Sequence, residues 1–75
     1  MNRLLGKPAA VITNPQGAPC WVNGWEVLHI FSHNQYPILV QPQESRCEIW
    51  CVRTAGGTIE LHFVQAKWIV AKWER

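Results

Sequence analysis

The sequence has few charged residues and no long hydrophobic run. Charged residues make up 16% of the 75 residues, and the formal net charge is +2. A charge this small does not by itself predict nucleic-acid binding, because nucleic-acid-binding proteins usually carry a strongly basic face. No stretch approaches the ~20 apolar residues of a membrane helix. The first eight residues also lack the apolar run, ~7–15 residues long, of a signal peptide. We therefore expect a cytoplasmic protein with no membrane partner.

Cysteines are also few, and their number is odd. Three cysteines, Cys20, Cys47 and Cys51, do not suggest a disulfide framework. On one extended strand, Cys47 and Cys51 would lie about 13 Å apart at ~3.3 Å per residue. A disulfide needs a Cα separation of roughly 4.4–6.8 Å, so we expect reduced thiols, as is typical of cytoplasmic proteins.

The same spacing argues against a metal site. Two sulfurs that share one zinc ion each lie ~2.3 Å from it, and one extended strand keeps Cys47 and Cys51 too far apart for that. Cys51 and His62, as neighbours across a hairpin, would supply only two ligands. We expect no metal and no cofactor.

Recognisable catalytic motifs are missing as well. The sequence has no phosphate-binding loop and no Gly-x-Ser-x-Gly turn, and it has no convincing pair of carboxylates for the catalytic site of a glycosidase. A histidine beside Cys51 could activate the thiol, but a half-buried cysteine more commonly packs as a small hydrophobic residue. We expect that the protein is not an enzyme.

Aromatic residues, in contrast, are abundant. The chain has five tryptophans, two phenylalanines and one tyrosine. A chain of this length forms one domain, and such a domain buries only about 60% of the surface of its unfolded chain. Five tryptophans exceed what so small a core can hide, so we expect at least one at a partner surface or a subunit interface. The low charge also favours self-association.

The clearest structural pattern is a β-hairpin over residues 46–64. Two apolar-rich runs flank Thr54-Ala55-Gly56-Gly57, and paired glycines at such a position favour a tight turn. A turn centred on Gly56-Gly57 predicts two sets of cross-strand pairs. These pairs are Trp50–Phe63, Val52–Leu61 and Thr54–Ile59 on one face, with Arg53–Glu60 and Cys51–His62 on the other. A register shifted by one residue would place apolar beside charged side chains, so the pattern argues against it.

The remaining segments predict further short strands. We expect a flexible lead-in over residues 1–8 and a single small β-barrel domain over residues 9–75. Within that domain the pattern predicts the following elements: a strand at 9–13, a loop at 14–19, a turn or bulge at Asn23-Gly24, a hairpin of strands 25–32 and 36–41 around His33-Asn34, a loop at 42–45, a short turn or 3₁₀ piece near 64–67 and a final strand at 68–72. In that final strand, Trp68 and Val70 would face one way and Ile69 and Trp73 the other.

This layout is all-β, with about five short antiparallel strands and no confident helix. It resembles small SH3-like barrels in having a long loop after the first strand, two central hairpins, a possible 3₁₀ turn and a last strand. Closure into a barrel would also protect the sheet edges. The resemblance implies binding of protein partners through aromatic clefts, often to extended or proline-bearing peptides.

Two functions follow from these patterns. The first is a non-enzymatic interaction module, either an accessory subunit or a homo-oligomer, that binds a protein partner through exposed aromatic residues. Its candidate partner-binding residues are Trp21, Trp25, Tyr36 and Trp73. Trp21 and Trp25 flank Asn23-Gly24 and would line a cleft with Tyr36. The structural alternative places Trp25 in the core and Trp21 over a sheet edge.

The second function is nucleic-acid binding by the closing strand. Its candidate residues are Lys67, Trp68, Lys72, Trp73 and Arg75. Cations that contact phosphates and indoles that stack on bases are the features that single-strand binders combine. The structural alternative places Trp68 in the core and leaves Lys67, Lys72 and Arg75 in solvent.

Overall fold

The computed structural model describes residues 6–40 and 43–75, and within them the side chains of residues 6–37 and 47–75. The described chain forms six antiparallel strands and contains no helix. The strands are β1 (Val11–Thr13), β2 (Pro19–Val22), β3 (Trp25–Val40), β4 (Gln43–Thr54), β5 (Gly57–Val64) and β6 (Lys67–Glu74). They form one sheet in chain order, curled strongly into an open half-barrel. The all-β prediction is confirmed, with six strands instead of about five.

The core lies on the inner, concave face of this sheet. Among the described side chains, six form it: Val22, Trp50, Val52, Ile59, Leu61 and Val70. Residues opposite each other in a sheet point to the same face, and Leu61 lies opposite both Trp50 on β4 and Val70 on β6. The curl brings these side chains together, because a flat sheet of this size could not enclose them. Residues that alternate with them face outward.

The β4–β5 hairpin forms, but its turn lies at Ala55-Gly56, so that Thr54 pairs with Gly57. The Thr54 hydroxyl favours this position of the turn, because it accepts a hydrogen bond from the Gly56 amide (3.1 Å) and donates one to the Gly57 carbonyl (2.9 Å). The predicted register is therefore wrong by two residues. A shift of two keeps every side chain on its predicted face, which is why Trp50 and Val52 still line the core.

The shift changes every predicted cross-strand pair. Cys51 lies opposite Glu60 and not His62, and Arg53 lies opposite Thr58 and not Glu60. The expected Cys51–His62 neighbourhood and the Arg53–Glu60 pair are both wrong. The Glu60 carboxylate instead contacts the ring of His62 on its own strand, at 2.9 Å.

The predicted turn at His33-Asn34 is also wrong, because β3 runs without a break from Trp25 to Val40. The run Ser32-His33-Asn34-Gln35 contains no glycine, and it continues as an extended strand in which His33 lies opposite Trp50. The strand β4 begins at Gln43, so most of the loop predicted at 42–45 is strand. Residues 41 and 42 lie outside the described residues.

The last turn has two residues and is not a 3₁₀ piece. Gln65 and Ala66 have φ values of 51° and 62°, which is the pattern of a type I′ turn. On β6, the register moves from Leu61–Val70 to Glu60–Lys72, so Ala71 is an extra residue at a β-bulge. The bulge places Trp73 on the inner face with Trp68 and Val70. The prediction that Trp73 faces the opposite way, with Ile69, is therefore wrong.

The described part of the lead-in is hydrogen-bonded to β6. The Gly6 amide donates to the Val70 carbonyl (2.7 Å), the Val70 amide donates to the Lys7 carbonyl (3.1 Å) and the Ala9 amide donates to the Trp68 carbonyl (2.8 Å). We call residues 6–9 the N-terminal strap. It covers the edge of β6 that would otherwise be free.

The turn at Asn23-Gly24 connects β2 to β3. Asn23 and Gly24 have φ values of 50° and 84°, so the type I′ alternative is the one the chain adopts. Asn23 also makes two hydrogen bonds to Ala10. Its side-chain oxygen accepts from the backbone amide of Ala10 (2.8 Å), and its backbone amide donates to the Ala10 carbonyl (2.7 Å). This contact attaches the start of the chain to the turn.

Candidate functional site

Exposed apolar side chains are concentrated on the first three strands. Among the described side chains, six large apolar ones expose between 37% and 63% of their surface: Ile12, Trp21, Leu28, Ile30, Phe31 and Tyr36. All six belong to β1, β2 or β3. The large apolar side chains described on β4, β5 and β6 are buried or half-buried. One side of the sheet therefore presents apolar surface to solvent.

The register places three of these side chains on the outer face. Val22 is buried in the core, so its neighbour Trp21 points outward, and Ile12 lies directly opposite Trp21. Tyr36 lies opposite Cys47, which is three positions from the inward-facing Trp50 and so faces outward. Ile30 lies opposite the buried Val52 and thus belongs to the inner face.

Two β-bulges on β3 interrupt the alternation of faces. The pairing with β4 skips Leu28 and Phe31, so each is an extra residue beside a normally paired neighbour. The ring of Phe31 contacts the ring of His29 edge to face, with centroids 4.9 Å apart. Because His29 lies opposite the exposed Arg53, this contact places Phe31 on the outer side. We call Ile12, Trp21, Leu28, Phe31 and Tyr36 the apolar strip.

A groove lies beside the apolar strip, between β2 and β3. These two strands pair only at Val22–Trp25 and Trp21–Glu26, and they separate beyond that point. The resulting groove has a volume of about 630 Å³, and its lining includes Pro19, Trp21 and Leu28. It is open to a side chain from outside the molecule.

The edge of β3 is poorly suited to adding a regular strand. Beyond Glu26, the only strand that pairs with it in the described residues is β4. Its outer edge is interrupted by bulges at Leu28 and Phe31, and Pro37 has no amide hydrogen to donate. Bulges and prolines are devices that block edge-to-edge pairing. The side chains of the strip are therefore the better candidate for contact than the backbone.

The four predicted partner-binding residues fall into two pairs. Trp21 and Tyr36 are exposed on the apolar strip, whereas Trp25 and Trp73 pack together on the inner side with ring centroids 5.3 Å apart. The Trp73 indole donates to the Gly56 carbonyl at 2.8 Å. The predicted cleft of Trp21, Trp25 and Tyr36 is not assembled, because the two-residue turn puts Trp21 and Trp25 on opposite faces.

The sequence reasoning did not identify Ile12, Leu28 or Phe31. Phe31 and Leu28 fall on opposite faces of a regular strand, and nothing in the local sequence marks the two bulges. Ile12 was assigned to a first strand, but its outward direction depends on pairing with Trp21. An excess of apolar residues on both faces of β3 was the one visible signal.

The predicted nucleic-acid-binding residues lie together on β6 and directly after it. Lys67, Lys72 and Arg75 are exposed, whereas the two indoles are half-buried. The Trp68 ring packs on Phe63 with centroids 4.6 Å apart, and the Arg75 guanidinium lies 5.1 Å from the centroid of Trp73. These contacts cover part of the indole surface that a base would need for stacking.

The polar clusters of the described chain are small. His33 stacks on the buried Trp50 with centroids 3.5 Å apart, and its Nε2 lies 2.8 Å from Glu48. In residues 6–40 and 43–75, no group of three or more histidine, cysteine or acidic side chains is placed to hold a metal ion. All three cysteines are free thiols. In the same part of the chain, no helix is long and apolar enough to span a membrane.

The fold and the surface together define a small all-β half-barrel domain with an exposed apolar flank. A scan against protein-family models and searches of curated proteins and of solved structures give no match to this chain. Any functional assignment must therefore be made from the chain's own geometry.

Proposed function

We propose that the protein is a non-enzymatic interaction module that binds a protein partner through the apolar strip. The observation that carries this proposal is the placement of every described, exposed large apolar side chain on β1, β2 and β3. Several exposed apolar side chains grouped on one side of a small domain are typical of a binding surface. Aromatic residues such as Trp21, Phe31 and Tyr36 are also enriched in protein interfaces.

The charge of these strands supports a protein partner over a nucleic acid. Glu26 is the one residue among the aspartates, glutamates, lysines and arginines of the sequence that falls in β1, β2 or β3. Phosphate groups need lysine or arginine contacts, and these strands supply none. Burial of apolar surface would be the main source of affinity at such a surface.

We also propose that the domain belongs to the class of small SH3-like barrels and works in the cytoplasm. Its size and strong curl support the first proposal, as does the strap beside the last strand. The free thiols of Cys20, Cys47 and Cys51 support the second, because thiols stay reduced in that compartment.

Site-specific photo-crosslinking in cells tests the protein-binding proposal. A photoreactive phenylalanine analogue is placed at Phe31 or at Tyr36, and the matched control carries it at the exposed Lys67 of β6. We expect one defined protein adduct, identified by mass spectrometry, from the two strip positions and none from Lys67. Absence of an adduct from both strip positions, or the same adducts from Lys67, would contradict the proposal.

A further inference from the structure

We infer that the occupant of the apolar strip is a second copy of this chain, in a twofold symmetric dimer. The inference rests on the proposed function, because it names the partner for the same surface. In a twofold interface, the same patch contacts itself, so the patch must be self-complementary. Three properties of the strip meet this requirement.

The first property is shape. Phe31 and Tyr36 lie on the part of β3 beyond its last pair with β2, and about half of each side chain is exposed. The groove between β2 and β3, with Trp21 and Leu28 in its lining, lies on the same patch. A twofold rotation places the projecting aromatic rings of one copy beside the groove of the other. One patch thus supplies both the projecting group and the recess.

The second property is area. With three half-exposed aromatic side chains and two exposed aliphatic ones at about 100 Å² each, the strip offers about 500 Å² of apolar surface per chain. Two copies would together bury about 1,000 Å² of apolar surface, which is the smallest area expected of a specific protein interface. This area fits a dimer of moderate affinity, with a dissociation constant of about 1–100 μM.

The third property is charge. A twofold axis brings like charges near one another, so a strip rich in one sign would oppose its own pairing. Glu26 is the one formal charge on these three strands, and the whole chain carries only +2. Repulsion between two copies is correspondingly small.

Sedimentation equilibrium of the purified chain tests the inference between about 1 and 500 μM, which brackets the expected dissociation constant. We expect wild-type protein to shift from monomer to dimer over this range. Leu28→Glu and Tyr36→Lys should each raise the dissociation constant at least about tenfold, because each puts a pair of like charges into the interface. The matched control, Lys67→Glu, should stay within about twofold of wild type.

Thermal unfolding of each variant verifies that it is folded. If a charged variant is unfolded, the uncharged variant Phe31→Ser is used in its place. A wild-type chain that stays monomeric, or folded strip variants that dimerise like wild type, would overturn the inference. If the chain is monomeric but its strip still crosslinks to another protein, a second copy is excluded as the occupant of the strip, and the proposed function is retained. If the chain is monomeric and its strip gives no crosslink, both the dimer and the proposed protein-binding function are excluded.

Discussion

At the scale of single residues, Gly56 allows two tryptophans to pack against one turn. A Cβ atom on Gly56 would lie 2.3 Å from Cε2 of Trp25, and the Gly56 carbonyl accepts the indole hydrogen bond of Trp73. Gly56→Ala would therefore displace the Trp25 ring. We expect a loss of about 2–3 kcal/mol in the free energy of unfolding, typical of overpacking, measured by urea denaturation.

Gly17→Ala is the matched control for Gly56→Ala. Gly17 has a φ of 86° and no neighbour within 4 Å of an added Cβ, so alanine there meets backbone strain but no clash. We expect a cost of about 1–2 kcal/mol from the left-handed conformation alone. A smaller loss for Gly56→Ala than for Gly17→Ala would contradict the packing role of Gly56.

The side chain of Asn14 stabilises the turn between β1 and β2. Its side-chain oxygen accepts hydrogen bonds from the amides of Gln16 (3.0 Å) and Ala18 (2.9 Å). Asn14→Ala removes both acceptors, and we expect the free energy of unfolding to fall by about 1–2 kcal/mol. Asn14→Asp keeps an acceptor oxygen and should lose less than half as much. Chemical denaturation of the two variants side by side measures the difference, and equal losses would assign the effect to something other than these bonds.

At the scale of the element, the bulge at Ala71 determines which face Trp73 occupies. Deletion of Ala71 would remove the extra residue, so that Val70, Lys72 and Trp73 alternate regularly and Trp73 keeps its inward position opposite Ile59. We therefore expect a loss of at most about 1–2 kcal/mol in the free energy of unfolding, with no red shift of tryptophan fluorescence. Urea denaturation followed by fluorescence measures both.

Ala71→Gly is the control for this deletion, because it keeps the number of residues in the strand. Glycine in a strand interior costs roughly 0.5–1 kcal/mol, and the emission maximum should not move. A deletion variant that loses about 3 kcal/mol or more, as for the truncation of a buried aromatic residue, or whose emission shifts to the red, would contradict the assignment of Ala71 as the extra residue.

The sequence predicted the elements whose causes are local. Alternating apolar residues on β4 and β5 identified the hairpin and the inward faces of Trp50 and Val52, whereas Asn23-Gly24 left a turn and a bulge as alternatives. The two-residue error in register arose because the Thr54 hydroxyl, and not the glycine pair alone, selects the turn. The continuity of β3 is not visible locally, because the polar run Ser32-His33-Asn34-Gln35 has the composition of a turn and its extended form depends on pairing with residues of β4 such as Trp50.

The candidate site was predicted only in part, for a similar physical reason. The excess of tryptophan predicts at least one tryptophan at a partner surface or a subunit interface, and Trp21 is the exposed one among the five. Which tryptophans are exposed depends on pairing and bulges, so Trp25 and Trp73 lie against the core side. The exposure of Leu28 and Phe31 depends on bulges in the pairing of β3 with β4, which the sequence of β3 alone does not mark.

At the scale of the whole molecule, the distribution of charge separates the two functions that the sequence suggested. Nucleic-acid binding by Lys67, Lys72 and Arg75 would release counterions and weaken steeply with salt. Because Glu60 lies opposite Lys72 and the indoles of β6 are half-buried, we expect no quenching of tryptophan fluorescence by single-stranded oligonucleotides at low salt. Quenching that disappears as salt rises would instead support the nucleic-acid function.

The N-terminal strap has a consequence for the order in which the chain folds. Every strand pairs with its neighbour in sequence, so each hairpin closes a short loop and forms early. The strap is different, because it must meet β6 across about 60 residues, and closing so long a loop costs more entropy. The strap should therefore dock last and detach first. Hydrogen exchange checks this: the Val70 amide, which donates to Lys7, should exchange by local opening, well before the amides that pair β4 with β5.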